Sequence, residues 1–318
     1  MRKKQFPPLR GTSPTEMECC CAIASRYVTS EYNRVRMGFQ DIVERIRPAI
    51  VGLGVLSDPE DELSVYILGT GFVVHPSGWI MTNWHVVEEF KGERDGVIGV
   101  RNAISRAVLF ISAAGREIGQ TGKIAVGGFG ALPCPVVEIA WPPGALGNRP
   151  HYGAAPDLAL CRINTETLEQ FGLAQLPCLT LGDSSKVRAG DDVAICGFPL
   201  GLELPHDDKL HQATPIVQRG IVAAVLPFPG DDNPHAFQLD INVNPGSSGS
   251  PVFLSETGEV IGVVFAAPVD PHFITIPTSD GQQQMEAIRL PTGFGYAVPS
   301  NRFRNQPPPV IRLPDVYH

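Results

Sequence analysis

Short blocks of β-branched and aromatic residues recur along most of this chain, and Gly, Pro, Asn or Asp residues bound them. Blocks of this kind are typical of β-strands joined by turns. One stretch differs: Gly38–Arg47 has its apolar residues three and four positions apart, which predicts an amphipathic helix ended by Pro48. The predicted strands are Ala49–Leu56, Leu63–Leu68, Gly71–His75, Trp79–Met81, Val97–Arg101, Arg106–Ile111, Pro135–Trp141, Asp157–Ile163, Asp192–Gly197, Ala213–Leu226, Ala236–Val243, Val252–Leu254, Val260–Ala267 and Gly295–Val298.

The number of predicted strands decides the fold class. Many short strands and one clear helix predict an all-β protein. The strands divide into two similar halves around residues 165–175, which fits two antiparallel barrels better than a single sandwich. We expect a first barrel at about 49–165 and a second at about 175–300, within a domain of residues 37–303. Residues 1–36 are expected to be a partly disordered extension, and residues 304–318 a Pro-rich tail.

The charge and the cysteines of the chain limit its expected partners and its compartment. The formal net charge is −8 and no basic stripe is present, so nucleic acid is not expected as a partner. No apolar run reaches the length of a membrane span, and the basic start Met1–Lys4 is not followed by an apolar leader segment. The cysteines are odd in number, and Cys161 and Cys196 lie in apolar strands, as reduced core residues do. These features predict a cytoplasmic location.

Two groups of residues could in principle bind a metal. Cys19–Cys21 is a cysteine triplet, but it has neither a lipidation motif nor the second half of a zinc site. A later loop contains His206, Asp207, Asp208 and His211, and polar loops of this composition are usually solvated. We therefore expect neither a metal nor a cofactor.

A turn rich in glycine and serine lies between two of the predicted strands, at Asn244–Pro251 (NPGSSGSP). Gly246 and Gly249 give the backbone the conformational freedom that a tight turn needs. Such a turn can hold the Ser248 hydroxyl clear of the backbone while neighbouring N–H groups face one point, as a serine nucleophile requires. An ordinary hairpin turn has the same residue types, so the segment alone leaves both interpretations open.

Two further residues supply what a serine nucleophile needs. His85 follows one predicted strand and Asp157 begins another, so the order along the chain is His, Asp, Ser. An imidazole can take the serine proton, and a buried carboxylate fixes the imidazole tautomer and stabilises the imidazolium. Taken singly, such a histidine is more often a packed core residue, and such an aspartate is often a turn residue. The three together predict a catalytic triad of His85, Asp157 and Ser248.

These motifs resemble those of the HtrA (DegP-like) proteases of the trypsin fold. Gly69–Val74 (GTGFVV) and Gly78–Val87 (GWIMTNWHVV) are similar to the histidine motif of that family, and Asp157–Leu160 (DLAL) is similar to its aspartate motif. Asn244–Pro251 is similar to the serine motif, and Gly293–Ser300 (GFGYAVPS) to the closing strand.

The resemblance implies two antiparallel six-stranded barrels and a serine endopeptidase that works through an acyl-enzyme. His85 would be the general base and acid, Asp157 its orienting carboxylate and Ser248 the nucleophile. The backbone N–H groups of Gly246 and Ser248 would form the oxyanion hole. Protein or peptide substrates are the expected partners, and the oligomeric state, a homo-oligomer included, stays open.

Two serines depart from the pattern of that family. Ser247 stands where the family usually has Asn, and Ser250 replaces a usual Gly beside the nucleophile turn. Ser250 is the feature that favours an alternative function, a latent or inactive protease-fold protein that binds peptides. An esterase with the same triad is a weaker alternative, because the triad order differs from that of an α/β-hydrolase.

The walls of the expected specificity pocket are small and mostly apolar. They are Asp240–Asn244 (DINVN) and Val263–Pro268 (VVFAAP), and no acid can be assigned to the pocket floor. The sequence therefore predicts cleavage after small or medium aliphatic residues.

Overall fold

The computed structural model of the protein describes residues 38–57, 65–94, 97–101, 103–112, 125–126, 129–141, 156–164, 166, 175–199, 203–204, 214–229, 233–277, 283–304 and 311–313. The helices are α1 (Phe39–Ile46), α2 (Trp84–Val87) and α3 (Asn301–Arg304), with 3₁₀ turns at Arg47–Ala49, Glu88–Phe90 and Ser184–Lys186. The strands are β1 (Ile50–Leu56), β2 (Val65–His75), β3 (Trp79–Thr82), β4 (Lys91–Arg94), β5 (Val97–Val100), β6 (Ser105–Ser112), β7 (Ala125–Val126), β8 (Phe129–Trp141), β9 (Ala159–Ile163), β10 (Asp192–Gly197), β11 (Glu203–Leu204), β12 (Ile216–Leu226), β13 (Ala236–Leu239), β14 (Pro251–Leu254), β15 (Val260–Ala266), β16 (Val269–Pro277), β17 (Gln283–Pro291), β18 (Gly295–Pro299) and β19 (Ile311–Leu313).

Six strands of the N-terminal half close into a barrel. β1 pairs with β6, β6 with β8, β8 with β9, β9 with β3 and β3 with β2, and β2 pairs back with β1. All of these pairings are antiparallel. Outside this ring, β7 and β19 add to β8, and β11 adds to β2.

Six strands of the C-terminal half form a second closed barrel, in the order β10–β12–β13–β18–β15–β14. The two-stranded ribbon β16–β17 lies between β15 and β18 in the sequence, and β4–β5 is a separate hairpin of the N-terminal half. The prediction of an all-β fold with two antiparallel six-stranded barrels is confirmed.

The first helix forms as its apolar spacing predicts. Ile42 and Ile46 are buried, and the N–H of Gly38 donates to Asp41 Oδ2 at 3.0 Å at the helix start. Arg45 donates to the carbonyl of Thr257 at 2.5 Å, in the turn between β14 and β15. The helix therefore precedes the first barrel in the chain but packs against the second.

Buried apolar side chains fill both barrels. One cluster occupies the first barrel and extends to Phe253 and Val263 of the second. The other lies inside the second barrel and includes Phe237 and Val252. Because the first cluster crosses between the barrels, their relative position is fixed by close packing.

Several elements differ from the sequence prediction, among them the short strands β4, β7, β11 and β19, which were not predicted. β2 is one continuous strand where two were expected, because Gly69, which was left out between the two predicted strands, lies inside β2 at a point of close backbone approach. The ribbon β16–β17 was not predicted, since Pro271 and Pro277 interrupt the apolar pattern. Within the described ranges, no helix is both long enough and apolar enough to cross a membrane.

Candidate active site

The register of the first barrel brings the segment that contains His85 next to Asp157. β3 and β9 are antiparallel, with Thr82 paired to Ala159 at one end. The residues that follow β3 therefore lie beside those that precede β9. His85 is on the short helix α2, directly after this end of β3, and Asp157 lies just before β9.

A carboxylate–imidazole pair forms at this junction. The distance from His85 Nδ1 to Asp157 Oδ2 is 2.5 Å, and the main-chain N–H of His85 donates to Asp157 Oδ1 at 3.1 Å. The Asp157 side chain is 9% exposed, whereas that of His85 is 45% exposed. The side chain of Asn83 also donates to the carbonyl of Asp157 at 2.7 Å and holds the backbone of this residue.

This geometry defines the tautomer of the imidazole. An ionised carboxylate only accepts hydrogen bonds, so His85 Nδ1 carries a proton toward Asp157, and in the neutral ring the lone pair is on the other nitrogen, Nε2. The exposed part of the ring can then accept a proton from a neighbouring hydroxyl, while Asp157 would stabilise the resulting imidazolium.

Two successive tight turns carry Ser248 between β13 and β14. The N–H of Ser247 donates to the carbonyl of Asn244, and the N–H of Ser250 donates to the carbonyl of Ser247, each at 3.0 Å. Gly246 and Gly249 have φ angles of +88° and +85°, in the left-handed region that favours glycine. At Gly249 a Cβ would also lie 1.9 Å from the carbonyl oxygen of Thr70, so the position accepts only glycine.

Strand β2 holds this turn from the other barrel through Thr70. The Thr70 N–H donates to the carbonyl of Ser248 at 2.8 Å, and Thr70 Oγ1 donates to the carbonyl of Gly246 at 2.8 Å. The same hydroxyl accepts from the N–H of Phe198 at 3.0 Å. These hydrogen bonds direct the carbonyls of Gly246 and Ser248 into the protein.

The oxyanion hole proposed from the sequence has free donors. Among the described residues, the N–H groups of Gly246 and Ser248 donate to no acceptor, which leaves them available to an oxyanion.

The two halves of the candidate site meet at Gly69. A Cβ placed on Gly69 would lie 2.7 Å from Val86 Cγ2 and 3.1 Å from the carbonyl oxygen of Ser248. Val86 directly follows His85 on α2. The helix that carries the imidazole and the turn that carries the serine therefore flank the same point of β2, at the junction of the two barrels.

The two unusual serines are both buried. Ser250 is completely buried, and a Cβ on Gly197 would lie 2.0 Å from its Oγ, so the missing side chain of Gly197 makes room for the Ser250 hydroxyl. Neither Ser247 Oγ nor Ser250 Oγ has a hydrogen-bond partner among the described residues. The main chain of Ser250 nevertheless keeps its turn geometry, since its carbonyl also accepts from Val264 N at 2.9 Å.

The sequence analysis assigned no role to Thr70 or Asn83. A signal was present for Thr70, because it is a polar residue inside an apolar strand and therefore needs buried partners. Asn83 directly precedes α2 and is also completely buried. Local pattern could not identify its partner, which is 74 positions away in the chain.

The described residues include no group of three or more His, Cys, Asp or Glu side chains that could hold a metal. Both metal candidates of the sequence analysis, Cys19–Cys21 and the loop with His206 and His211, lie outside the described residues.

Comparison with known proteins places these motifs in a family. A family described as "Trypsin-like peptidase domain" matches residues 69–263. The "Probable periplasmic serine endoprotease DegP-like" of Halomonas elongata is 29% identical over 197 residues, which are 62% of this chain and 28% of that protein. The "Magnetosome formation protease MamE" of Magnetospirillum gryphiswaldense is 28% identical over 244 residues, or 76% of this chain and 22% of the relative. The chain thus spans about a quarter of the length of these relatives.

Solved structures are similar as well. The structure titled "HtrA-type protease AlgW with decapeptide" has a TM-score of 0.47 and 20% identity, with 83% of this chain and 65% of the other covered. "Crystal structure of Deg5" has a TM-score of 0.45 and 22% identity, with coverages of 74% and 88%.

The expected cytoplasmic location is wrong. The names of the similar proteins indicate periplasmic and magnetosome proteases, which points to a location outside the cytoplasm. The cysteines do not require a reducing compartment either. Burial raises the pKa of Cys161 and Cys196 to about 12, so these thiols stay protonated and unreactive in any compartment.

Proposed function

Because this chain belongs to the family of trypsin-like peptidase domains, we propose that it is a serine endopeptidase whose catalytic triad is His85, Asp157 and Ser248. The observation that carries the proposal is the buried Asp157 carboxylate, 2.5 Å from His85 Nδ1, on the side of Gly69 opposite the turn with the half-buried Ser248. This arrangement suits acyl transfer, which needs a nucleophile, a base and an orienting carboxylate.

The proposed reaction proceeds through an acyl-enzyme. Ser248 Oγ attacks the scissile carbonyl carbon while His85 Nε2 takes the hydroxyl proton, and Asp157 remains ionised. The N–H groups of Gly246 and Ser248 receive the negative oxygen of the tetrahedral intermediate. His85 then gives the proton to the leaving amine. Water, activated by the same imidazole, releases the acyl group in the second half of the reaction.

We further propose that the pocket beside Ser248 accepts small or medium aliphatic side chains. Val243, five residues before Ser248, is buried, and a Cβ on Gly295 would lie 2.3 Å from Val243 Cγ2. Val243 belongs to the apolar core of the second barrel, so this wall of the expected pocket is backed by apolar packing. Asn242, the residue directly before Val243, is neutral and favours no basic substrate residue, and Asp240, the acid of this wall, is exposed.

The structure gives no support from Ser250 to the alternative function, a peptide-binding protein without turnover. It depended on Ser250, whose hydroxyl lies against Gly197, while its main chain keeps both hydrogen bonds of the turn. We propose residues 37–303 as the catalytic unit. The substrates are proposed to be proteins or peptides, and self-assembly is left to measurement.

A substrate library tests the function directly. Purified wild-type protein and the Ser248→Ala variant are incubated with tetrapeptide p-nitroanilides that differ only in the residue before the scissile bond. We expect hydrolysis by the wild type alone, fastest after Val, Ala or Leu. Equal rates for both proteins would contradict the role of Ser248, and a profile dominated by Lys or Arg would contradict the proposed pocket.

A further inference from the structure

The ribbon β16–β17 presents apolar side chains that the barrels leave uncovered. Phe273 is 67% exposed and Met285 is 71% exposed, and Val269 and Leu290 are also exposed. Single exposed apolar residues are common on protein surfaces, but a cluster of them marks an interaction surface. A two-stranded ribbon is also only marginally stable alone in water, so a partner that covers it would stabilise it.

The strand register places the largest of these side chains on one face. Phe273 is paired with Ala287, and Thr275 with Met285. Phe273 and Met285 are therefore diagonal neighbours on the same face, close enough for their side chains to touch one partner. Val269, at the base of the ribbon, shares this face because it is four positions from Phe273 in the same strand. We call this exposed surface of Val269, Phe273, Met285 and Ala287 the Phe273 face.

An open strand edge leads from the candidate nucleophile to this face. β14 pairs with β15 only as far as Val263, and the last contact on that side is the Gly249 N–H to the Val264 carbonyl at 2.8 Å. Beyond Val264, no described strand pairs with this edge of β15. Gly249 directly follows Ser248, so the open edge begins beside the serine.

The ribbon follows β15 after the two-residue connection Ala267–Pro268. β15 ends at Ala266 and β16 begins at Val269, and Pro268 between them accepts from Thr292 N at 3.3 Å and Thr292 Oγ1 at 3.1 Å. These bonds fix the base of the ribbon. A polypeptide added as a strand to the edge of β15 would therefore continue onto β16–β17.

We propose that the Phe273 face binds an extended apolar segment of the substrate polypeptide, remote from the scissile bond; this inference rests on the proposed function. The occupant must be extended, because it is continuous with a chain paired to the edge of β15. It must be apolar, because the side chains that it meets are Val269, Phe273 and Met285. At a rise of about 3.3 Å per residue, Phe273 is reached only about eight residues beyond Phe265. Long unfolded chains would reach and bind the Phe273 face, and tetrapeptides would be too short to reach it.

Two substrates of different length test the proposal. The probes are reduced, carboxymethylated α-lactalbumin, which is permanently unfolded, and succinyl-Ala-Ala-Pro-Val p-nitroanilide. The Phe273→Ser/Met285→Ser double variant is compared with the wild type. Its control is Phe228→Ser, which removes a phenylalanine that is 71% exposed on the loop after β12.

We expect kcat/KM for the unfolded protein to fall about tenfold in the double variant, the usual scale for truncating interface anchors. The tetrapeptide kinetics and the control should not change. An unchanged rate with the unfolded protein, or equal losses with both substrates, would overturn the proposal. So would dissociation of a wild-type oligomer by the double substitution in sedimentation velocity, because the face would then join copies of this chain.

A binding measurement separates this proposal from the catalytic one. Fluorescein-labelled, carboxymethylated α-lactalbumin is titrated with Ser248→Ala protein, with and without the two ribbon substitutions, and anisotropy gives the dissociation constant. Weaker binding by the ribbon variant would support substrate binding at the Phe273 face, even if the wild type hydrolyses neither probe. A lack of hydrolysis by the wild type would contradict only the proposed function. Equal dissociation constants for the Ser248→Ala proteins with and without the ribbon substitutions would overturn the proposal that the Phe273 face binds substrate.

Discussion

At the scale of single residues, Asp157 Oδ2 sets the tautomer of His85, and Oδ1 positions the backbone of His85. Oδ1 accepts from the main-chain N–H of His85, and Oδ2 faces Nδ1. A neutral amide in place of the carboxylate could still accept from the main chain, but its NH₂ group would face Nδ1. The imidazole would then favour the opposite tautomer, with its proton on Nε2.

Asp157→Asn should therefore abolish most of the activity without unfolding the protein. We expect kcat on a tetrapeptide p-nitroanilide to fall on the order of 10⁴-fold, since the base would be in the wrong tautomer. Thermal unfolding of the variant serves as the control for folding. A variant that keeps more than about a tenth of the wild-type kcat would contradict the assignment of Asp157.

The unpartnered hydroxyl of Ser250 gives a second prediction at this scale. Ser250→Ala removes a buried hydroxyl that has no hydrogen-bond partner among the described residues. It should raise the free energy of unfolding by about 1 kcal/mol, measured by urea denaturation, and leave kcat/KM unchanged. Ser300→Ala is the matched control, because that buried hydroxyl donates to the carbonyl of Gly182 at 2.8 Å. Ser300→Ala should lower the free energy of unfolding of the protein. A lower free energy of unfolding in both variants would contradict the prediction.

At the scale of elements, the turn Gly182–Ser185 is fastened to the start of α3. Asp183 Oδ1 accepts from Asn301 Nδ2 at 2.7 Å and from Ser185 Oγ at 2.7 Å. These hydrogen bonds, from Asn301 first and then Ser185, hold the pKa of Asp183 well below its usual range. The charged carboxylate is thus the form that the folded protein stabilises.

This lowered pKa gives the stability a defined pH dependence. Because the folded pKa lies below the unfolded one, the contribution of Asp183 is complete above an unfolded pKa of about 3.9 and is lost as pH falls through the folded pKa. Urea denaturation of the wild type and Asp183→Asn between about pH 6 and pH 2.5 measures it. The wild type should lose more stability than the variant over the acidic part of this range. Parallel curves would contradict the role of these hydrogen bonds.

Sequence patterns predicted the regular elements well and the irregular ones poorly. β10 was predicted with its observed bounds, Asp192–Gly197, because a compact apolar block with turn residues on both sides has one interpretation. β2 was divided in two because Gly69 and Thr70 were left out between the predicted strands Leu63–Leu68 and Gly71–His75. The actual role of Gly69 is to let Val86 approach the backbone, and this depends on contacts with another segment.

In the candidate site, residues with a characteristic type and order could be predicted, and residues defined by long-range contacts could not. His85, Asp157 and Ser248 could be selected from residue type and order, and the structure brings His85 and Asp157 into contact. Thr70 could not be assigned, because its hydroxyl bonds the carbonyl of Gly246, 176 positions away. Its partner is defined only when the barrels pack together.

At the scale of the whole molecule, α1 connects the start of the domain to the second barrel. Gly258, in the turn after β14, has a φ of +73°. A Cβ there would lie 2.6 Å from Arg45 Nη2 and 3.0 Å from Ile42 Cγ2 of the helix. A side chain at this position would therefore strain the turn, displace the Arg45 guanidinium and press against Ile42 of α1.

Gly258→Ala should cost more stability than its positive φ alone explains. The matched control is Gly190→Ala, since Gly190 has a φ of +96° and nothing within 4 Å of the added Cβ. The control should lose about 1–2 kcal/mol of unfolding free energy, the cost of a left-handed alanine, and Gly258→Ala should lose more. Equal losses, measured by urea denaturation, would show that α1 does not pack tightly on the second barrel.

The central claim is that Ser248 is activated by His85 within a formed oxyanion hole. Labelling with a fluorophosphonate, read by intact mass, tests this most directly because the reagent requires an activated serine and reports no substrate preference. We expect one adduct on the wild type and none on Ser248→Ala or His85→Ala. A folded wild-type protein that forms no adduct, or an adduct that persists in Ser248→Ala, would contradict it.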